Sequence, residues 1–187
     1  LDLENIDELK HPQRSSGKLS STSLSSQKIT AKASSAIAGA FVVFGAGSLP
    51  SSSKSLTVSL EPASISLASE VINELLPQKN PKITSTAEAV LVHPSDEISL
   101  NSPFSIAVPV PQESLSLFET ENAKLHVFYK VYDPDENKIM IGLRKKTSLT
   151  FSEDKKFILL RTKFFGAFQA VILNGEIKKE LEQESTS

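Results

Sequence analysis

The strongest constraint on the fold is an alternation of apolar and polar residues, with a period of two, that recurs in short runs along the chain. In the run SLTVSLEP (55–62), every second residue from Leu56 to Leu60 is apolar and the residues between them are polar. Because successive side chains of a strand point to opposite faces, this pattern predicts a strand with one buried face. Clusters of Gly, Pro, Asn, Asp and Ser bound such runs, which is typical of sheets with short connections.

The same signals divide most of the chain into strands. We predict strands at 36–47, 55–62, 87–94, 96–111 and 165–173, and hairpins at 122–143 and 147–162 with turns at 133–138 and 152–156. One helix is predicted at 68–76, because Val71, Ile72 and Leu75 share one side at helical spacing and Pro77 ends the run. The predicted fold class is all-β: an antiparallel β-sandwich with about eight short strands and one short helix.

Composition predicts three segments in a chain of 187 residues. Residues 1–35 include the serine-rich run RSSGKLSSTSLSSQ (14–27), which has too few large apolar residues to offset the entropy lost on ordering. We therefore expect residues 1–35 to be a disordered tether. Residues 36–174 are the predicted sandwich domain, and the charged residues 175–187 are a predicted C-terminal tail.

Composition also argues against several classes of function. The chain has no cysteine, which rules out disulfides, zinc–thiolate sites and cysteine nucleophiles. A net charge of -2 argues against nucleic-acid binding, which normally requires a basic face. No apolar run reaches the length of about 18 residues that a membrane span needs. We expect membrane association only through an anchor upstream of Leu1.

One pattern resembles a calcium-binding loop but is incomplete. Asp133, Asp135 and Asn137 have the spacing of the first three ligands of such a loop. Lys138 stands where a glycine is needed for the sharp turn, and Arg144 stands where a bidentate Glu is needed. We predict a plain β-turn here, with weak calcium binding as the alternative, and no cofactor elsewhere.

The histidines of the predicted domain, His93 and His126, do not indicate catalysis. A serine hydrolase needs its nucleophile on a sharp elbow within hydrogen-bond reach of a base, and the sequence has no G-x-S-x-G. We therefore predict structural roles for both histidines and no enzymatic activity.

A basic run is the first candidate for partner contact. Arg144, Lys145 and Lys146 are consecutive and lie between two predicted strands. Such a run suits an anionic partner or lipid headgroups, although a solvated turn has the same composition.

A proline-flanked edge is the second candidate. Pro109 and Pro111 flank Val110, and proline cannot donate to a strand ladder. The sequence VPVP (108–111) is therefore predicted at a strand end or sheet edge. Val108 and Val110 would then be available for strand addition by a partner.

Three stretches resemble one family of β-domains. They are LTVSLEPASI (56–65), AVLVHPSDEISLNSPFSIAVPVP (89–111) and TKFFGAFQAV (162–171). They resemble the homology domain shared by zona-occludens and uncoordinated-five proteins, which is related to the GAIN autoproteolysis domain. The positions that match its proline-bounded strands are Pro94, Leu100, Pro103 and Pro109.

The resemblance also bears on self-cleavage. Cleaving members of the related domains carry a His-Phe-Ser or His-Phe-Thr step before the last strand, where the hydroxyl attacks and the histidine is the base. In this alignment Phe164 stands at the histidine, Phe165 matches the phenylalanine and Gly166 replaces the hydroxyl residue. The resemblance thus implies a variant that does not cleave itself. We expect Phe165 and Phe168 to fill the core and Gly166 to mark a bend or bulge.

Together these observations predict a non-enzymatic interaction or structural module that binds a protein or glycan partner. We expect it in a bacterial cell envelope, in the periplasm or at the outer surface, where it would act in adhesion or as part of a lipoprotein anchored upstream. The alternative is a cytosolic adaptor domain of a larger signalling or cytoskeletal protein. An enzyme of an unrecognised kind would require convergent polar groups in a pocket.

Overall fold

The computed structural model describes residues 10–63, 67–75, 82–111, 123–144 and 150–174. Antiparallel strands dominate this part of the chain, and a single helix, α1 (Leu67–Leu75), accompanies them. In chain order the strands are β1 (Ser15–Ser20), β2 (Gln27–Thr30), β3 (Phe41–Phe44), β4 (Ser55–Pro62), β5 (Lys82–Thr86), β6 (Val90–Pro94), β7 (Phe104–Pro109), β8 (Ala123–Asp133), β9 (Lys138–Arg144), β10 (Thr150–Phe151), β11 (Phe157–Thr162) and β12 (Phe165–Asn174).

The strands form two sheets. The 7-stranded sheet has the order β1-β4-β6-β12-β8-β9, with β5 paired to β12 beyond the end of β6. The 5-stranded sheet has the order β10-β11-β7-β3-β2. The predicted all-β sandwich with one helix is confirmed. The strands outnumber the predicted eight, because short pieces such as β1, β2, β5 and β10 carry little apolar signal of their own.

The core lies between the two sheets and is centred on phenylalanines. Phe44 of β3 stacks on Phe104 of β7 with ring centroids 4.8 Å apart, and Phe104 stacks on Phe165 of β12 at 5.2 Å. This trio joins the 5-stranded sheet to the middle of the 7-stranded one. Large buried aromatic surfaces of this kind contribute strongly to holding a sandwich together.

Helix α1 covers the outer face of the 7-stranded sheet. Its buried residues Leu67, Val71 and Ile72 pack against Phe128 of β8 and Val171 of β12. The predicted helix at 68–76 is therefore confirmed within one residue at each end of the described range.

Two polar contacts fix the helix on the sheet. Gln169 accepts a hydrogen bond from the Ala68 amide, 3.1 Å away, which satisfies one of the donors that a helix N-terminus leaves unpaired. Glu70 forms an ion pair with Lys130 of β8. In the part of the chain that is described, no helix has the length and apolar character needed to cross a bilayer.

The predicted tether is wrong for the segment 14–30. Strand β1 pairs with β4 at the edge of one sheet, and β2 pairs with β3 at the edge of the other. The segment contributes two buried side chains, Leu19 and Ile29, one for each strand. Its serines remain compatible with order because Ser16 Oγ bonds Ser59 Oγ at 3.0 Å and the ladders satisfy the backbone. The sandwich therefore begins before residue 36, while residues 1–9 and 175–187 lie outside the described part.

Both predicted hairpins are present. In the turn between β8 and β9, the Asp133 carboxylate accepts hydrogen bonds from the amides of Asp135 at 3.0 Å and Glu136 at 3.4 Å. Asn137 has φ of 50°, a conformation that Asn tolerates in turns. The Asp133 carboxylate thus stabilises a β-turn, in keeping with the plain-turn interpretation. Among the described residues, no cluster of three or more His, Asp or Glu side chains is placed to hold a metal.

Candidate functional site

The candidate site forms around a sharp corner where the chain leaves one sheet and enters the other. Strand β11 ends at Thr162 in the 5-stranded sheet, and β12 starts at Phe165 in the 7-stranded sheet. Thr162 Oγ1 accepts a hydrogen bond from the Phe164 amide at 3.1 Å, which stabilises this two-residue turn. The corner leaves Lys163 exposed, and Phe164 packs half-buried against the core between the sheets.

A cleft of about 590 Å³ opens beside this corner, between strands of both sheets. Its size falls within the range of typical small-molecule sites. The lining residues come from β8, β9, β11, β12, the corner and the residue before β7: Pro103, Tyr129, Val131, Met140, Arg144, Arg161, Thr162, Lys163, Phe164 and Phe168. We call this feature the corner cleft.

The floor of the corner cleft is apolar and aromatic. Tyr129, Val131 and Phe168 are buried and belong to the core cluster between the sheets, and Met140 and Phe164 pack against that cluster while partly exposed. The cleft is therefore an accessible continuation of the space between the sheets.

Gly142 gives the Tyr129 ring its position. These two residues are directly opposite each other in the β8–β9 pair. A Cβ added at Gly142 would lie 2.5 Å from Tyr129 Oη and 2.8 Å from Cζ, so the phenol lies directly over the glycine. An aromatic ring that covers a cross-strand glycine in this way shields the exposed backbone of the edge strand β9.

The rim of the corner cleft is cationic. Arg144, at the end of β9, donates a hydrogen bond from Nη2 to the carbonyl oxygen of Arg161 on β11, which links the two sheets. Burial lowers the pKa of Arg144 from its ordinary value, yet an arginine remains charged at neutral pH. Burial raises the pKa of the Tyr129 phenol, and the neighbouring Arg144 charge opposes part of that rise.

The positive charge of this rim is not neutralised within the described ranges. No described carboxylate forms an ion pair with Arg144, Arg161 or Lys163. The described lining residues include no histidine and no carboxylate. The arrangement is therefore suited to holding an anionic group next to an apolar one, because guanidinium and ammonium groups make charge-assisted hydrogen bonds to oxyanions.

A second charged cluster lies outside the cleft and joins β1 to its sheet. Arg14 binds Glu61 through two hydrogen bonds, Nε to Oε2 at 2.9 Å and Nη2 to Oε1 at 3.2 Å. His93 Nε2 lies 3.2 Å from Glu61 Oε1. Burial alone would raise the pKa of Glu61, but the hydrogen bonds and charges of Arg14 and His93 outweigh it and leave that pKa lowered. We assign a structural role to this cluster.

The residues predicted to contact a partner differ in whether the structure leaves them accessible. Arg144 lies on the rim of the corner cleft, whereas Lys145 and Lys146 lie outside the described residues. Of the two placements predicted for residues 108–111, the strand end is confirmed, because β7 ends at Pro109, and the sheet edge is wrong, because β7 lies between β11 and β3. Val108 is 0% and Val110 4% exposed, so neither side chain is accessible to a partner. The prolines stand at the end of an interior strand, where a missing donor costs little.

The three aligned cleavage positions occupy the corner and the start of β12. Phe164 lines the cleft, and Phe165 is buried against Phe44 and Phe104. Phe165 and Phe168 share one core cluster although side chains three positions apart normally face opposite ways. Phe165 therefore departs from the alternation of β12. The pairing of Gly166 with β8 stays in register, so that pair has no bulge at Gly166, and the expected bend stays a prediction.

Most residues of the corner cleft carry no sequence signal that sets them apart from other strand residues. Its lining comes from parts of the chain that are distant in sequence. Tyr129 and Met140 belong to the β8–β9 hairpin, whereas Arg161 and Lys163 flank Thr162 at the corner. One local signal was available, since the two cations Arg161 and Lys163 come immediately before the phenylalanine cluster.

Comparison with known proteins adds no assignment. No protein-family model matches the sequence, and no curated protein is significantly similar to it. The resemblance to the zona-occludens and uncoordinated-five domain family stays a prediction.

Proposed function

We propose that this chain is a non-enzymatic β-sandwich binding module whose corner cleft holds an anionic group of its ligand. The single observation that carries the proposal is that the half-buried Arg144 and the exposed Lys163 line a cleft with an apolar floor, beside Arg161, and that no described carboxylate forms an ion pair with any of the three. Cations that have no carboxylate partner have more to gain from an incoming anion than cations already in an ion pair.

The fixed position of Arg144 supports this function. Its side chain is half-buried and bonded to the carbonyl of Arg161, so its conformational freedom is already restricted before a ligand arrives. A group that is already ordered loses less entropy on binding. Arg161 and Lys163 are exposed and can adapt to the shape of the anion.

The test uses two fluorescent probes that differ only in charge. The probe 8-anilinonaphthalene-1-sulfonate carries one sulfonate, and N-phenyl-1-naphthylamine is its uncharged counterpart. We expect the sulfonate to bind the folded protein at least about tenfold more tightly, because hydrogen bonds to charged groups contribute about 1.5–3 kcal/mol. The chain has no tryptophan, so the probe signal has no competing indole emission.

A matched pair of charge-reversal variants locates the site. The double variant Arg161→Glu/Lys163→Glu should abolish the preference for the sulfonate. The control Lys18→Glu/Lys54→Glu makes the same change in net charge at exposed positions outside the cleft and should keep that preference. Equal affinity for the two probes in the native protein, or equal loss in both variants, would contradict the proposed function.

The cellular setting remains part of the proposal. A bacterial cell-envelope module that binds a protein or glycan partner is compatible with a chain that has no cysteine. A cytosolic adaptor domain is equally compatible with that composition and is the alternative. Fractionation of cells that produce the protein, with protease treatment of intact cells, separates the two: a protected, soluble cytosolic fraction would refute the envelope setting.

We also propose that the chain is a non-cleaving relative of the domain family it resembles. The support is chemical, because Phe164 cannot accept a proton and Gly166 has no nucleophile. Purified protein should run as one undivided chain under denaturing conditions after prolonged incubation, and a fragment beginning near residue 166 would refute this.

A further inference from the structure

We propose that the ligand of the corner cleft is a single-chain anionic amphiphile, whose apolar chain enters between the two sheets while its head group binds the cationic rim. This inference rests on the proposed function and specifies the chemical class of the ligand. It follows from the presence of both apolar and cationic residues in the lining of the cleft.

The apolar half of the cleft continues into the protein core. Tyr129, Val131 and Phe168 form its floor, and all three belong to the cluster that separates the sheets. Met140 and Phe164 are partly exposed above them and pack against the same cluster. A chain that passes Met140 and Phe164 would therefore contact mainly hydrocarbon and aromatic surface, which favours an apolar chain over a sugar or a polar peptide.

The same lining also contains the cationic residues that would bind the head group. Arg144 and Arg161 are linked across the two sheets, and Lys163 follows at the corner. A small hydrophilic anion would use these cations and leave the apolar floor uncovered. An amphiphile with one anionic head satisfies both halves of the site, which is why we favour it.

Two sources supply this chemistry. A fatty acid carries its charge as a carboxylate, and a lysophospholipid carries it as a phosphate diester. Both present one apolar chain and one anionic head group, so the chemistry of the cleft suits both of them. Guanidinium groups bind carboxylate and phosphate oxygens with similar geometry.

The primary experiment varies chain length at a fixed head group. Inorganic sulfate and butyl, hexyl, octyl and decyl sulfate, each below its micelle-forming concentration, are tested for displacement of 8-anilinonaphthalene-1-sulfonate from the native protein. Each added methylene should tighten binding about threefold to fourfold until the cleft is filled. Lauric acid and lauroyl lysophosphatidylglycerol then compare the two sources at equal chain length, and binding of either supports the inference.

A pair of variants on one strand tests where the chain enters. Met140→Glu places a negative charge at the mouth of the apolar half and should weaken decyl sulfate binding by at least about tenfold, while inorganic sulfate is affected less. Ile139→Glu makes the same substitution at the adjacent, 61% exposed position and should leave the binding of decyl sulfate unchanged. Circular dichroism and thermal unfolding confirm that each variant is folded.

The outcomes separate this inference from the proposed function. Affinity that is independent of chain length, with preserved preference for the sulfonate probe, overturns the amphiphile and leaves an anion-binding module. If the alkyl sulfates bind the Arg161→Glu/Lys163→Glu variant as tightly as the native protein, both the amphiphile and the proposed function are overturned. Failure of lauric acid and lauroyl lysophosphatidylglycerol alike overturns the amphiphile, whatever the sulfates do.

Discussion

Replacing Gly166 by alanine should destabilise the protein severely. A Cβ at this position would lie 2.2 Å from the Lys130 carbonyl oxygen and 2.7 Å from the Val131 Cα. The first distance is roughly 1 Å inside ordinary van der Waals contact, and both atoms belong to the backbone of β8, which no side-chain rotation can move. Relief requires separation of β8 from β12 at the centre of the 7-stranded sheet.

The loss of unfolding free energy can be worked out from this separation of the two strands. Overpacking contributes about 1–3 kcal/mol, and each ladder hydrogen bond weakened nearby adds about 0.5–1.5 kcal/mol, so we expect a loss of about 4 kcal/mol. For a chain of this length that corresponds to a fall in Tm of roughly 8–16 °C. Gly166→Ser should cost at least as much, so a hydroxyl-bearing side chain has no room at this position.

Thermal unfolding followed by circular dichroism measures the effect, with Gly45→Ala as the control. Gly45 is exposed, and a Cβ there would meet only Ser48 Oγ at 3.8 Å, so that variant should change stability by less than about 0.5 kcal/mol. A Gly166→Ala protein that melts within 2–3 °C of the Gly45→Ala protein, roughly 1 kcal/mol or less, would refute the close approach of β12 to β8.

Three further predictions concern the cleft and the charged cluster. Gly142→Ala should push the Tyr129 ring out of place, cost about 1–2 kcal/mol in unfolding free energy and weaken binding of the sulfonate probe several-fold; unchanged probe affinity would contradict the assigned floor. Arg14→Ala should lower unfolding free energy in urea by about 1–2 kcal/mol, whereas Lys18→Ala, an exposed cation on β1, should have almost no effect; equal effects would show that Arg14 does not hold β1. Because the folded-state pKa of Glu61 is lowered from 4.5, its contribution to stability is complete above pH 4.5 and is lost as pH falls through the lowered value, so the stability of Glu61→Gln should fall less than that of the native protein between pH 5 and 3.

Local patterns predicted the hairpins and the helix well, because their signals lie in adjacent residues. In the turn at 133–138, the Asp133 side chain accepts a hydrogen bond from the backbone, and Asn137 adopts a backbone conformation that Asn tolerates. Both features suit a turn in any context. The helix at 67–75 has its apolar residues at helical spacing and faces a single surface. Such features need no information about the rest of the chain.

The strands β1 and β2 could not be predicted in the same way. Each supplies one buried apolar side chain, Leu19 or Ile29, and takes the rest of its stability from strands formed elsewhere. Composition measures only what a segment can bury by itself, and it therefore misread a serine-rich edge strand as disordered. The proline pattern could not separate the two alternatives for residues 108–111, since prolines mark a strand end as readily as a sheet edge.

The corner cleft depends on topology as well as on residue type. Arg144 was identified from its charge, but its proximity to Arg161 follows from the way β9 and β11 end up on the same side of the sandwich. Tyr129 and Phe168 carry the same signal as any core residue. Pattern reasoning on one sequence has no means of telling which core residues will remain accessible.

The order in which the chain is made has a consequence for its folding. Strand β12 is the last strand of the described chain, yet it lies in the middle of the 7-stranded sheet between β6 and β8. During synthesis, β6 and β8 must remain without their common neighbour until residues 165–174 emerge, and pairings so distant in sequence form slowly. A nascent or truncated chain would expose the unpaired edges of β6 and β8, which invite aggregation, so production of the protein should depend strongly on chaperones that shield such edges.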